Sequence, residues 1–123
     1  ARFTRADRRV SDATAAVLSL IIPRRAAIEE RPPNRLHCRD RERTCQSARH
    51  AGLFHKKLVM DMHHGTLCDS ASSSLRLLKM IGEENVGLTL DPVNLYQALA
   101  DYGEEAIRAL GNHIFNVHVK DIA

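Results

Sequence analysis

Three short apolar runs in this chain each lead into a side chain able to bind a metal ion or move a proton. Lys57-Leu58-Val59-Met60 ends on Asp61, Val86-Gly87-Leu88-Thr89-Leu90 ends on Asp91, and Ile114-Phe115-Asn116-Val117 runs into His118. Two carboxylates and one imidazole suit general acid–base work. They also favour Mn²⁺, Mg²⁺, Co²⁺ or Zn²⁺ over a soft-metal site. Asp91 follows Asp61 by 30 residues, and His118 follows Asp91 by 27. Taken singly, each has a plainer reading. Asp91 before Pro92 serves equally as a turn or cap residue, His118 as a packed strand residue, and Asp61 as a polar strand end. The shared position at a run's end and the even spacing single them out together.

Elements of two kinds must position them. Leu58–Met60 reads as a short buried strand, followed by the loop His63-His64-Gly65-Thr66. Asp69 or Ser70 can cap a helix through Ile81, with Leu75, Leu78 and Ile81 on one face and Gly82 just past its end. Glu83-Glu84-Asn85 turns into the strand Val86–Leu90. Leu95–Ala100 reads as helix, Asp101-Tyr102-Gly103 as a break, and Glu104–Leu110 as helix with acids in its first turn. Gly111 closes it, and Ile114–Val119 is the next strand. This β-α-β-α-β order predicts parallel strands with right-handed crossovers. A (β/α)₈ barrel of ~250 residues has units of roughly 30 residues and its active site at the C-terminal strand ends. The fold class is therefore α/β, a partial TIM-barrel-like segment over residues 53–123.

Residues 1–52 differ in composition. Residues 1–50 hold 12 arginines against 6 acidic residues, whereas residues 51–123 hold 6 basic against 9 acidic ones. All 4 lysines lie after residue 55 and all 6 glycines after residue 51. We expect an Arg-rich N-terminal part that is helical or disordered, with a helix in residues 1–22 ended by Pro23 and one further turn over 26–31. Residues 34–50 read as exposed or disordered. The contrast suggests that residues 1 to about 50 have a separate origin. Cys38, Cys45 and Cys68 are an odd number without framework spacing, which fits a reducing, cytoplasmic setting. The six-residue gap between Cys38 and Cys45 misses the usual zinc pattern. Ala15–Ile22 is far short of the ~20 residues of a membrane span, and no signal-peptide cleavage pattern follows it. The arginines at 35–49 could attract nucleic acid, but acids are interleaved and aromatics are missing, which argues against it.

The second part resembles the xylose isomerase-like (β/α)₈ superfamily of sugar-phosphate isomerases and epimerases. V-G-L-T-L-D at 86–91 is similar to the family's sixth strand, N-V-H-V-K-D at 116–121 to its seventh, and L-V-M-D-M-H-H-G-T at 58–66 to its fifth. The resemblance implies a divalent metal (Mn, Mg, Co or Zn) held by Asp61, Asp91 and His118, with Asp61 also the catalytic base. It places His63, Asn94 and Lys120 against substrate, a small sugar or sugar phosphate, with Asp121 at the rim. The implied reaction removes a proton beside a carbonyl while the metal, as Lewis acid, stabilises the enediolate. There are departures. Asp61 stands where the family has Glu, and Asn94 where many members have His. The family's fourth ligand, a Glu on the eighth strand, lies beyond Ala123, and strands one to four have no recognisable counterpart. A partial barrel of this kind is expected to be inactive alone and to favour self-association through exposed strand edges. Two alternatives are an apurinic-site endonuclease-like phosphodiesterase, against which Asn94 counts, and a non-catalytic basic module binding nucleic acid through residues 1–50.

Overall fold

Parallel strands cannot be joined by a hairpin, so short apolar runs must alternate with crossover segments. The computed structural model of the chain describes residues 17–20 and 38–121. Its elements are β1 (Val17–Leu20), α1 (Cys38–Gly52), β2 (Lys57–Asp61), α2 (Ala71–Ile81), β3 (Val86–Leu90), α3 (Pro92–Gln97), α4 (Glu104–Leu110), a 3₁₀ turn (Gly111–His113) and β4 (Ile114–Val117). The strands lie in the order β1-β2-β3-β4, and each neighbouring pair is parallel. The expected β-α-β-α-β segment is thus present in an open, partial TIM-barrel-like sheet.

Two expectations for the first part are overturned. Val17–Leu20, expected inside a helix, is a strand in register with Lys57–Met60. Its backbone groups find partners on β2, an option that local periodicity cannot reveal. Residues 38–50 of the stretch 34–50, expected to be exposed or disordered, lie in α1 with most described side chains exposed, so the disorder alone is overturned. Among the described side chains of this polar helix only Thr44 and Ala48 are buried; they lie four residues apart and so share one face. The helical expectations for residues 1–16 and 26–31 lie outside the described residues. The boundary expected after residue 52 falls at the end of α1, and the pairing of β1 with β2 carries the sheet across it.

Arginines and a cysteine dock α1 against the end of α2. Arg41 Nε donates to the Met80 carbonyl at 2.7 Å, the Cys45 thiol to the Ile81 carbonyl at 3.5 Å, and Arg49 Nε pairs with Glu83 at 2.8 Å. The last carbonyls of a helix lack intrahelical partners and carry the negative end of its dipole, which suits such donors. The start of α2 is closed reciprocally: Ser73 N–H donates to the Ser70 hydroxyl and Ser70 N–H to the Ser73 hydroxyl. Gly82 ends it with φ 72°, a left-handed conformation that glycine adopts without a Cβ penalty. The buried stripe is Ser74, Leu77, Leu78 and Ile81, with Leu75 at its margin.

The sheet has two unlike faces. Leu58, Met60, Val86, Leu88 and Leu90 share one buried cluster with Ala48, Leu77, Leu78, Ile81, Leu95 and Leu110 from the helical segments. Alternation along the strands sends Lys57, Val59 and Asp61 of β2, and Gly87 and Thr89 of β3, to the opposite face. In a closed barrel that face is the interior. A register shift between Leu88 and Thr89 leaves Phe115 without a partner in β3. The Phe115 ring crowds Gly87, where any Cβ would run into it, and Lys57 Nζ lies 4.2 Å from the ring centre. Asn85 joins three elements at the other sheet edge, donating to the Ala48 carbonyl at 2.6 Å and the Lys56 carbonyl at 3.3 Å. Replacing it leaves those carbonyls short of a donor. Asn85→Ala should lower unfolding free energy by about 1–3 kcal/mol in urea titrations, with an unchanged slope.

Candidate active site

Parallel register brings the C-terminal ends of β2, β3 and β4 to one edge of the sheet, and Asp91 is the centre of what gathers there. Its backbone is extended, Pro92 takes the first helical position of α3, and Asp91 Oδ1 accepts from Asn94 N–H at 3.0 Å. Asp91 is therefore the N-cap of α3, as the plainer reading of Asp-Pro had it. The cap engages only one oxygen. The other, Oδ2, faces Lys120 Nζ at 2.5 Å and His118 Nδ1 at 3.5 Å. His118 is placed by its own N–H, which donates to the Leu90 carbonyl at 2.9 Å and extends the β3–β4 pairing past β4. Asn94 completes the group. Its Nδ2 donates to the Met62 carbonyl at 2.9 Å, and its Oδ1 accepts from Lys120 Nζ at 3.2 Å.

The Asp91 side chain is 1% exposed, so its charge must be compensated. Oδ2 makes no hydrogen bond of good angle, and its contact with Lys120 is chiefly electrostatic. Burial by itself raises the Asp91 carboxyl, but the Lys120 ammonium, the Asn94 N–H and His118 outweigh it and hold the group below the ordinary carboxylate range.

Of the residues singled out from sequence, Asp91, Asn94, His118 and Lys120 come together. Asp61 ends the neighbouring strand in register with Thr89 and on the Asp91 side of the sheet. However, no group of three His, Cys, Asp or Glu side chains among the described residues is placed to hold one metal ion. His63 turns to its own loop, with Nδ1 2.8 Å from the His64 carbonyl and the two imidazole centroids 4.2 Å apart, tilted by 31°. Asp121 is exposed. Two residues escaped notice. Thr89 is fully buried, and its hydroxyl has no hydrogen-bond partner; Lys57 sits over Phe115. Both lie an even number of strand positions from a singled-out carboxylate, so the period of two was the available signal. Cys68 is buried, and burial pushes its thiol up to about 12, which keeps it a neutral packing group.

Parallel β/α units whose polar residues cluster at the strand ends define a barrel-type α/β protein. The chain belongs to the xylose isomerase-like TIM barrel family, whose model matches residues 13–123. The match takes in β1 and α1, which overturns the separate origin expected for the Arg-rich part. Among solved structures, the chain resembles the probable 3-DHS dehydratase AsbF involved in petrobactin synthesis from Bacillus anthracis. The TM-score is 0.71 and the identity 17%, over 87% of this chain and 38% of that one. It also resembles a xylose isomerase domain protein from Planctomyces limnophilus, with a TM-score of 0.63 and 20% identity over 85% of this chain and 35% of that one. The chain thus spans under two-fifths of either structure. No curated protein sequence matches it significantly. No helix among the described residues is long and apolar enough to cross a membrane.

The Asp91 pairing has a pH signature. Its folded carboxyl titrates below the unfolded value of about 3.9, so its stabilisation is complete above that pH and is lost as pH falls through the folded value. Melting temperatures measured from pH 6 down to pH 3 should fall less steeply for Asp91→Asn than for the unmodified chain.

Proposed function

We propose that the strand-end cluster belongs to the active site of a sugar or sugar-phosphate isomerase or epimerase that works by proton transfer beside a carbonyl. One observation carries this reading: Asp91, Asn94, His118 and Lys120 meet at the C-terminal ends of adjacent parallel strands, where this fold holds its chemistry. Asp61, at the end of β2 on the same side of the sheet, is the base that takes the proton. Lys120 offers ammonium donors to a carbonyl, hydroxyl or phosphate oxygen of the substrate. Asn94 offers its carboxamide, while His63 is turned to its own loop.

Among the described residues a divalent ion would find two candidate ligands together and no group of three. Asp91 Oδ2 is a buried oxygen without a hydrogen bond, and an imidazole nitrogen lies 3.5 Å from it. A carboxylate with an imidazole is the donor set of Mn²⁺, Co²⁺ or Zn²⁺, and sites with few protein ligands complete themselves with water and substrate oxygens, as Mg²⁺ sites do. Asp91 and His118 would hold the ion; Asp61, although it ends the neighbouring strand, is not placed with them as a third ligand. When bound, the ion would supply Lewis-acid polarisation of adjacent sugar oxygens. The dehydratase among the similar structures fits the same logic, since loss of a proton beside a carbonyl can begin an elimination as well as an isomerisation. An apurinic-site endonuclease reading is less well supported, because it needs several zinc ions and Asn94 replaces a ligand.

Calorimetric titration with Mn²⁺, Co²⁺ and Zn²⁺ tests the site. The unmodified chain should bind an ion that Asp91→Ala/His118→Ala loses, with affinity weakened roughly 10- to 100-fold or more. Equal binding by both proteins would refute a strand-end metal site, and sugar phosphates should then be tested without metal.

A further inference from the structure

Leucine is an unfavourable residue at position 99 on two counts. Its backbone is left-handed, with φ 55°, and the residue is 96% exposed. The conformation is imposed by the way α3 ends. Leu99 N–H donates to the Tyr96 carbonyl and Ala100 N–H to the Leu95 carbonyl, both at 3.0 Å. These two bonds form the helix-end motif that usually carries glycine at the place of Leu99. Ala100 packs against the core cluster that holds Leu95, which fixes the turn. A side chain at Leu99 therefore strains the backbone, and its apolar area stands in water. Strain and apolar exposure at one residue point to a surface that binds something. Tyr96 and Tyr102, on either side of Leu99 in the chain, are both exposed, and their rings meet edge to face at 5.7 Å. Asp101 and Glu105 are exposed acids of the same segment.

We propose that this patch docks the exposed end of α1 of a second copy of the chain. Just past α1, Leu53 and Phe54 are both exposed, and the Phe54 ring meets His50 edge-on at 5.3 Å. Arg43 is exposed and lies seven residues before His50, on the same side of the helix. Arg41 and Arg49 are engaged within the chain, by the Met80 carbonyl and Glu83, so the outward charge falls to Arg43. Each surface thus has an apolar centre, and their charges are opposite. An acidic aromatic patch and a basic apolar helix end are complementary in both respects.

The two surfaces cannot meet within one molecule. α2 packs against α1 on one side and α4 on the other, so it separates them. The turn at 53–55 leads into the N-terminal end of β2, whereas α3 leaves from the C-terminal end of β3. The contact is therefore head-to-tail: each copy offers its Leu99 patch to one neighbour and its α1 end to the next. It leaves the open strand edges unused.

Sedimentation velocity of the full chain over a range of concentrations tests the contact. The mass should rise with concentration, and less so at high salt, because exposed charges are screened. Leu99→Gly should weaken association roughly tenfold or more, since it removes the centre of the patch. Its melting temperature, measured on dilute protein, should be at least that of the unmodified chain, because glycine suits the left-handed turn. Leu99→Asn, which also tolerates that backbone, should repeat the result. Phe54→Ser should weaken association to a similar degree. The decisive sample mixes Leu99→Gly with Phe54→Ser at a concentration where neither associates alone. One junction remains intact between them, so a 1:1 dimer should form and grow no further. A mass independent of concentration overturns the proposal, as does association that survives both substitutions, the behaviour expected of strand-edge pairing. A mixture that stays monomeric overturns the head-to-tail contact.

Discussion

A single buried carboxylate organises the functional edge of this protein. Asp91 closes β3, starts α3 and faces the segment after β4, and each role uses a different part of the same side chain. Charge taken out of water is tolerated only where partners surround it. Those partners are the Asn94 N–H, the Lys120 ammonium and the His118 imidazole. Asn94 in turn holds the end of β2 through the Met62 carbonyl. Three strand ends are thereby tied to one another by polar contacts at the position where a barrel works. The same requirement that stabilises the edge assembles the groups that could act on a polar substrate.

The Arg-rich part is joined to this architecture by similar means. An Arg-rich helix with two buried positions among its described side chains would contribute little if it had to rely on an apolar face. Instead Arg41 and Cys45 meet the terminal carbonyls of α2, and Arg49 meets Glu83. Asn85 ties the α1 backbone to the start of β2. Part of its positive charge is therefore structural. This weakens the idea of a basic module standing apart from the sheet, as does the family match beginning at residue 13.

The inner face of the sheet carries its own compromise. Phe115 lies over Gly87, and Lys57 lies over Phe115. A parallel sheet needs both faces covered. Here an aromatic ring released by a strand irregularity covers the glycine, and a cation covers the ring. Thr89, between Asp61 and Asp91 in the face pattern, keeps a buried hydroxyl without a partner. That hydroxyl is a place near the strand ends where polar capacity is left over among the described residues, as expected near a binding site.

How much was legible depended on how local each determinant is. The bounds of β3 and α4 follow from apolar runs with turn residues at their ends. The cap residues Ser70 and Gly82 act within one helical turn, so their roles could be read directly from spacing. Asp91 and His118 could be named as candidates because parallel β/α units repeat at a regular period, whereas Asn94 and Lys120 were named only through the family resemblance. Other outcomes required partners distant in the chain. The apolar run at 17–20 becomes a strand because β2 offers it a ladder, and 38–52 becomes a docked helix because α2 presents unsatisfied carbonyls. His63 was placed toward substrate by motif and turns instead to its own loop. The sequence by itself determined the alternation of elements and the residue types at the strand ends, since these rest on periodicity and caps. The tertiary structure alone decided that one oxygen of Asp91 caps a helix while the other faces Lys120. That division depends on strand register and side-chain approach, which local sequence does not encode.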